Sequence, residues 1–363
     1  VTDWRSLRDV DWTMLIIALI LCGVGILTIY SATQTEEGSS LWWKQLIFVA
    51  AGLFLFYIVS QFDYHTFLGQ SPYLYIAFCV ILFGLMIFSR VVLGAKRWIS
   101  LGGGLKLQPS EFMKIVLVLF MARFISELKS DSLENSDLMK LMGLVLFPFV
   151  LVNLQPDLGT SLCYLPVLGV GLLLAGMSRQ QVIVLVIIVA LVVPLGWFVL
   201  KDYQRARLTS FLDPASDPQG SGYQVLQSKI AVGSGGMWGT GVTRGMQIQL
   251  QFLPFAHTDF IFAAFAEEHG FIGVVTVLGL YFLLLMQILQ NAQTAPDRAG
   301  TAICMAVAGI LLFHVLENIG MVAGLMPVAG IPLPLMSYGG SNILSVFIML
   351  GLVNNVRLRR FLQ

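Results

Sequence analysis

The chain has 363 residues, of which 57% are hydrophobic and only 11% charged, and its formal net charge is +1. An ordinary globular chain carries roughly 25% charged residues, so water is not the main solvent of this one. The near-zero net charge excludes a global field for nucleic acid, and any anion must be recognised by local clusters.

The apolar residues gather in runs of about twenty, the length with which a helix crosses a hydrocarbon core of ~30 Å. Alternating ten-residue strands are absent, which excludes a β-barrel and leaves helices as the spanning element that satisfies its own backbone in lipid. The fold expected is all-α: a polytopic membrane protein of about ten helices. The apolar runs predict spans at 12–31, 46–62, 71–89, 109–127, 138–154, 160–177, 180–200, 259–289, 299–325 and 334–356. Val1 to Arg5 lead into the first span without the short apolar region and cleavage site of a signal peptide, so that span is expected to stay in the membrane. Cys22, Cys79, Cys163 and Cys304 all fall inside spans without paired spacing and read as small apolar residues, neither disulfides nor zinc ligands.

An even number of spans places both termini on one side. Lys and Arg divide almost evenly between the two sides, so the positive-inside rule does not decide orientation alone. Arg5, Arg8, Arg357, Arg359 and Arg360 flank their spans closely and favour cytoplasmic termini. Arg90, Lys96, Arg97, Lys106, Arg205, Arg207, Lys229 and Arg244 then become extracytoplasmic, as an anionic ligand such as pyrophosphate would require. Translocation of long loops regardless of charge is the plain alternative.

Along the chain, Gln108-Pro109-Ser110-Glu111 opens the fourth span, with Pro at the first helical position and a carboxylate in the first turn. Lys114 follows three residues later on the same face. A lone Lys at that depth costs ~2.5–3.5 kcal/mol on insertion scales, so it is expected to pair with Glu111 or a ligand anion. Asp157, within Gln155 to Thr160, reads as turn chemistry or a helix cap. In the loop 201–258, Tyr223 to Val232 has the pattern of an interfacial or re-entrant helix, and Gly233 to Gly241 could form a phosphate nest or a plain turn. Asp259 reads either as the N-cap of the eighth span or as a general base on the cation-rich face, with Glu267 and Glu268 about two turns deeper. His314 and Glu317, one turn apart, suggest a buried pair.

Taken together, Lys96 to Ile99, Gln108 to Glu111, Gln155 to Thr160, Asp213-Pro to Asp217-Pro, Gln227 to Gly236, His257 to Phe262, Glu267-Glu268 and Pro334 to Ser341 resemble the SEDS family (shape, elongation, division and sporulation) over nearly the whole chain. Asp202 to Arg205 and Gln227 to Lys229 look more like its RodA-like elongation branch than its FtsW-like division branch. The resemblance implies one SEDS-type membrane domain over 1–363, with 201–258 as a large extracytoplasmic loop, in the bacterial cytoplasmic (inner) membrane. It implies a peptidoglycan glycosyltransferase that polymerises lipid II into β-1,4 glycan strands during elongation, acting on the extracytoplasmic face. Asp259 corresponds to the family's catalytic aspartate, and Glu111, Lys114 and Asp157 to residues on which family activity depends. Arg97 and Arg207 join them as candidate countercharge for pyrophosphate, after Lys114, and Ser337 as a candidate substrate-binding residue in its motif. The partners implied are lipid II, the growing lipid-linked glycan, a class B penicillin-binding protein transpeptidase and elongation-complex membrane proteins. A divalent cation (Mg or Mn) could bridge pyrophosphate oxygens, although no ligand set establishes it, and no organic cofactor is expected. Phe255 departs from the pattern, because many relatives carry Glu there, and Asn342 stands where Ser is usual. A lipid-linked precursor flippase and a non-catalytic scaffold remain as alternatives. The flippase would need polar residues along the bilayer depth, whereas most motifs here collect at one face.

Overall fold

The structure, a computed structural model, describes residues 9–34, 40–88, 97–102, 105–128, 133–200, 202–214, 217 and 220–360. Arg90 and Lys96 lie outside the described residues. The spanning helices are α1 (Trp12–Ala32), α2 (Leu41–Gln61), α3 (Tyr64–Phe88), α4 (Pro109–Glu127) and α5 (Asn135–Leu154), then the broken pair α6 (Leu158–Leu162) and α7 (Leu165–Leu174), and α8 (Arg179–Val199). After α9 (Asp202–Leu212), α10 (Ser221–Ser234) and α11 (Met246–Gln249), the chain spans again with α12 (Ile261–Gln293), α13 (Arg298–Val322) and α14 (Gly340–Arg359). Eight of these helices are long and apolar enough to cross a membrane. The other two expected spans are α4, which carries Glu111, Lys114, Arg123 and Glu127, and the segment broken into α6 and α7. All ten predicted apolar runs are therefore helical.

α4, α13 and α14 form the interior. Lys114 on α4 and Asn318 on α13 have no exposed surface, and α14 is buried along most of its length. α14 lies closest to α2, where an added Cβ on Gly52 would sit 2.4 Å from the Phe347 ring and one on Gly351 would sit 3.1 Å from Phe56 O. Small residues permit that approach, which dispersion forces then stabilise in a solvent as apolar as the side chains. α8 is the opposite case, because no part of its apolar stretch is buried and most of its described apolar side chains face outward. One feature was not expected: a hairpin of β1 (Ile99–Gly102) against β2 (Leu105–Leu107), antiparallel with Ile99 opposite Leu107, which leads into α4 and holds Arg97 at its base. The four cysteines are free and buried.

Candidate functional site

At the end of the bundle where α4, α6, α12 and α14 begin, four of the expected residues converge. Asp157 caps α6, accepting from Thr160 N at 3.4 Å. Its carboxylate also takes the Arg97 guanidinium at 3.0 Å and the Gln108 amide at 2.7 Å. Asp259 lies in the turn before α12, and its backbone oxygen accepts from Asn318 Nδ2, which also donates to Ile331 O, each at 2.8 Å. Arg207 of α9 donates to Ala329 O at 3.2 Å. The next residue, Gly330, has φ 72°, and a Cβ there would stand 3.4 Å from Asp259 Oδ2 and 3.9 Å from Arg207 Nη1. The Pro327 to Pro334 turn thus sets the aspartate and the arginine side by side. Burial pushes the Asp259 carboxyl above the usual carboxylate range, while Arg207 and Arg97 pull it down and Asp157 pushes it up. No hydrogen bond from the described residues reaches that carboxylate, which leaves it available to a substrate hydroxyl.

Deeper between α4, α13 and α14, Lys114 Nζ donates to Glu111 Oε2 at 2.7 Å and meets His314 Nε2 at 3.2 Å. His314 Nδ1 lies 3.1 Å from Pro332 O, which can only accept, so Nδ1 carries the ring proton and Nε2 receives the lysine's. Ser345 donates to Glu111 at 3.4 Å. The expected pairing of Lys114 with Glu111 is present, and the ammonium is fully enclosed. Lys114 is thus enclosed by Glu111 and His314, whereas Arg97 contacts Asp157 and Arg207 stands on the turn beside Asp259. The suggested His314–Glu317 pair is not formed, because both ring nitrogens are engaged elsewhere.

Ser337 is also buried and wholly engaged, donating to Thr258 O at 2.7 Å and accepting from Leu333 N at 2.8 Å. It holds the turn before Asp259. Gln45 of α2 completes the brace, donating to Ser337 O at 3.0 Å and accepting from Gly339 N at 3.2 Å. Among the described residues, no three His, Cys, Asp or Glu side chains converge as metal ligands, and Asp157 is already committed to Arg97 and Gln108. These residues do not fit a cation cage built by the protein alone.

A profile of the family described as "Cell cycle protein", which groups FtsW, RodA and SpoVE, matches residues 11–360. The chain belongs to that family. Peptidoglycan glycosyltransferase MrdB of Escherichia coli K12 is 42% identical over 99% of this chain and 96% of its own length. Peptidoglycan glycosyltransferase RodA of Treponema pallidum is 33% identical over 98% and 99%. The fold matches a chain from a solved peptidoglycan synthase complex, described as coordinating polymerization and crosslinking, with TM-score 0.83 and 31% identity over 98% of this chain and 99% of that one. It also matches the rod shape determining protein RodA of Thermus thermophilus, with TM-score 0.72 and 27% identity over 97% and 98%.

Within this FtsW, RodA and SpoVE fold, the cap reading of Asp259 and the nest reading of the glycine run both change. The N-cap of α12 is Phe260 without a side-chain cap bond, so Asp259 is not a cap. The glycine run from Gly233 to Gly241 forms no anion nest but packs against α12, as described below. Gln108 and Asn318 were not singled out from sequence, although each ties a site aspartate to a neighbouring element. An uncharged amide in an apolar span, next to Glu317, was the available signal for Asn318. Phe255 has φ 58° and is about half exposed, on the turn that carries His257 and Asp259.

Proposed function

We propose that this chain, a peptidoglycan glycosyltransferase of the elongation type, joins the 4-hydroxyl of an acceptor N-acetylglucosamine to C1 of a lipid-linked donor N-acetylmuramic acid and expels lipid pyrophosphate. A β-1,4 bond made from an α-linked donor inverts the centre, so one displacement suffices. It needs a base for the hydroxyl and countercharge for the leaving group. Asp259 is the base, and the observation that carries this reading is its carboxylate, free of hydrogen bonds from the described residues and flanked by Arg207. Arg207 and Arg97 supply the countercharge, and the buried Glu111–Lys114–His314 knot holds α4 against α13 beneath them. A divalent cation at this site would be held largely by pyrophosphate oxygens.

The chain is a multi-pass membrane protein; cytoplasmic termini and an extracytoplasmic Asp259 face in the bacterial inner membrane belong to the proposal. So does a class B penicillin-binding protein partner, supported by the synthase complex that this fold matches. The test is polymerisation of purified lipid II by the purified chain, with and without the transpeptidase. Glycan strands that form with the chain and disappear with Asp259→Asn support the reading. Lipid II that crosses vesicles without being polymerised would favour the flippase.

A further inference from the structure

α12 is longer than a bilayer requires. Its 33 residues would reach roughly 50 Å at 1.5 Å per residue, against a hydrocarbon core of ~30 Å. It is not one rod, because Gly270 has φ 63° and ψ −165° and divides it. Residues 271–293 cover roughly 34 Å, which is one span. The piece before the break is buried at every position from Ile261 to Glu268, and outward apolar side chains begin only beyond it, at Phe271, Ile272 and Val275.

The segment 237–252 covers that first piece, with its backbone turned inward. Phe271 N donates to Gly236 O at 2.9 Å and Ile272 N to Met237 O at 3.2 Å; Thr240 N and Gly241 N reach Glu267 O and Glu268 O, each at 3.0 Å. The two glutamate side chains serve the same segment. Glu268 accepts from Thr243 N at 3.0 Å and from Ser31 Oγ, and Glu267 accepts from Gln247 N at 2.9 Å. Gly239, at φ 80°, lies so close to Glu268 O that no Cβ fits. The amides of Arg244, Gln249, Leu250, Gln251 and Phe252 are paired within the segment itself. Outward stand Trp238, 81% exposed, with Met237, Met246 and Leu250, and Arg244 is the only Asp, Glu, Lys or Arg between Lys229 and Asp259.

A water-facing loop shows polar side chains and leaves much of its backbone to solvent. This one pairs most of its amides and, beside exposed Thr240, Arg244, Gln249 and Gln251, turns large apolar side chains outward, as irregular backbone at a membrane interface does. We propose that residues 237–252 are seated in the lipid interface of the leaflet on the Asp259 side, with Glu267 and Glu268 as internal acceptors that let a non-helical backbone enter it. Lipid is the occupant because the outward face is continuous with Phe271, Ile272 and Val275 on the lipid-facing wall of α12. Trp238 belongs to the interfacial aromatic band, and Arg244 reaches back to headgroup phosphate. The buried piece 261–268 then fixes the height of Asp259 above the bilayer. The seating does not depend on the glycosyltransferase reading.

The test is nitroxide labelling of Trp238→Cys and Met246→Cys in the full chain in phosphatidylglycerol nanodiscs, with Phe271→Cys as the lipid reference, Asp202→Cys as the water reference and the unsubstituted chain as the labelling background. Both sites should show the oxygen-over-nickel-chelate collision preference of the Phe271 site, several-fold above the Asp202 site. Values equal to the Asp202 site would overturn the proposal. So would protection that arises only when a transpeptidase is added, because the face would then be a protein contact. Glu267→Ala with Glu268→Ala should speed amide exchange at 240–247 several-fold while residues 271–293 are unchanged; unchanged exchange at 240–247 also counts against it.

Discussion

Two carboxylates, one near each end of the bundle, show how a saturated acid differs from one whose side chain is left open. Asp11, 1% exposed at the terminal side, is saturated: it accepts from Met14 N at 3.1 Å, Asn291 at 2.7 Å, Gln287 at 3.0 Å and Arg357 at 3.0 Å. Its own amide donates to Asn354 at 2.9 Å. Asp259 at the other end keeps its backbone tied while none of the described donors engages its carboxylate. The saturated group joins α1, α12 and α14, and the unsaturated one is left for a ligand.

The sharpest way to break this contrast is to delete each acid in turn. Asp11→Ala strands a partly buried arginine and several amide donors, and should cost about 3–5 kcal/mol of stability without touching the chemistry. Thermal unfolding in detergent measures it, and an unchanged midpoint would remove the contrast. Asp259→Asn should leave the unfolding midpoint in place, since no cap or ion pair is lost, yet slow lipid II polymerisation at least about a hundredfold, or roughly 2.7 kcal/mol of barrier. Near-normal polymerisation by that variant would remove the base role from Asp259.

Glu111 and Lys114 lie between the two cases, buried like Asp11 but close to the site. A double-mutant cycle with Glu111→Gln and Lys114→Met should give a coupling of about 0.5–3 kcal/mol, the pair costing less than the sum of the singles. Strict additivity in stability and rate would show that the 2.7 Å contact carries nothing. The smallest effect is on pH dependence. A base must be deprotonated, so kcat/KM should fall as pH drops through the Asp259 pKa, which burial holds above the ordinary ~3.9. Arg207→Gln removes a cation that lowers that pKa and should move the acid limb to higher pH. A limb that stays put, or moves down, would show that Arg207 does not face the base.

Much of this architecture was legible in the residues. The ten apolar runs became helices because lipid leaves the backbone no other partner, and Lys114 announced its bond to Glu111 because a lone cation at that depth is costly. The site was legible as a set of charges but not as an arrangement. Arg97 meets Asp157 across a hairpin with weak strand signals, and Asp259 meets Arg207 through a turn that folds back over α13. Nothing in the spacing of Lys114 and His314, 200 residues apart, indicates that they touch at 3.2 Å. Enclosure was not legible either: Lys114 and Ser337 are buried and bonded within the protein, which their spacing does not show.

The turn from Pro327 to Pro334 behaves as a junction box with a fixed pin count. Ala329 O takes Arg207, Ile331 O takes Asn318 and Pro332 O takes His314, three acceptors within four residues wired to α9 and to two levels of α13. Side chains other than at Gly330, whose φ of 72° strains any Cβ, can vary without cutting these three wires, because each ends on a backbone oxygen. Its length cannot: one inserted residue would move every oxygen past its donor at once, uncoupling Arg207, Asp259 and the Lys114 knot in a single event.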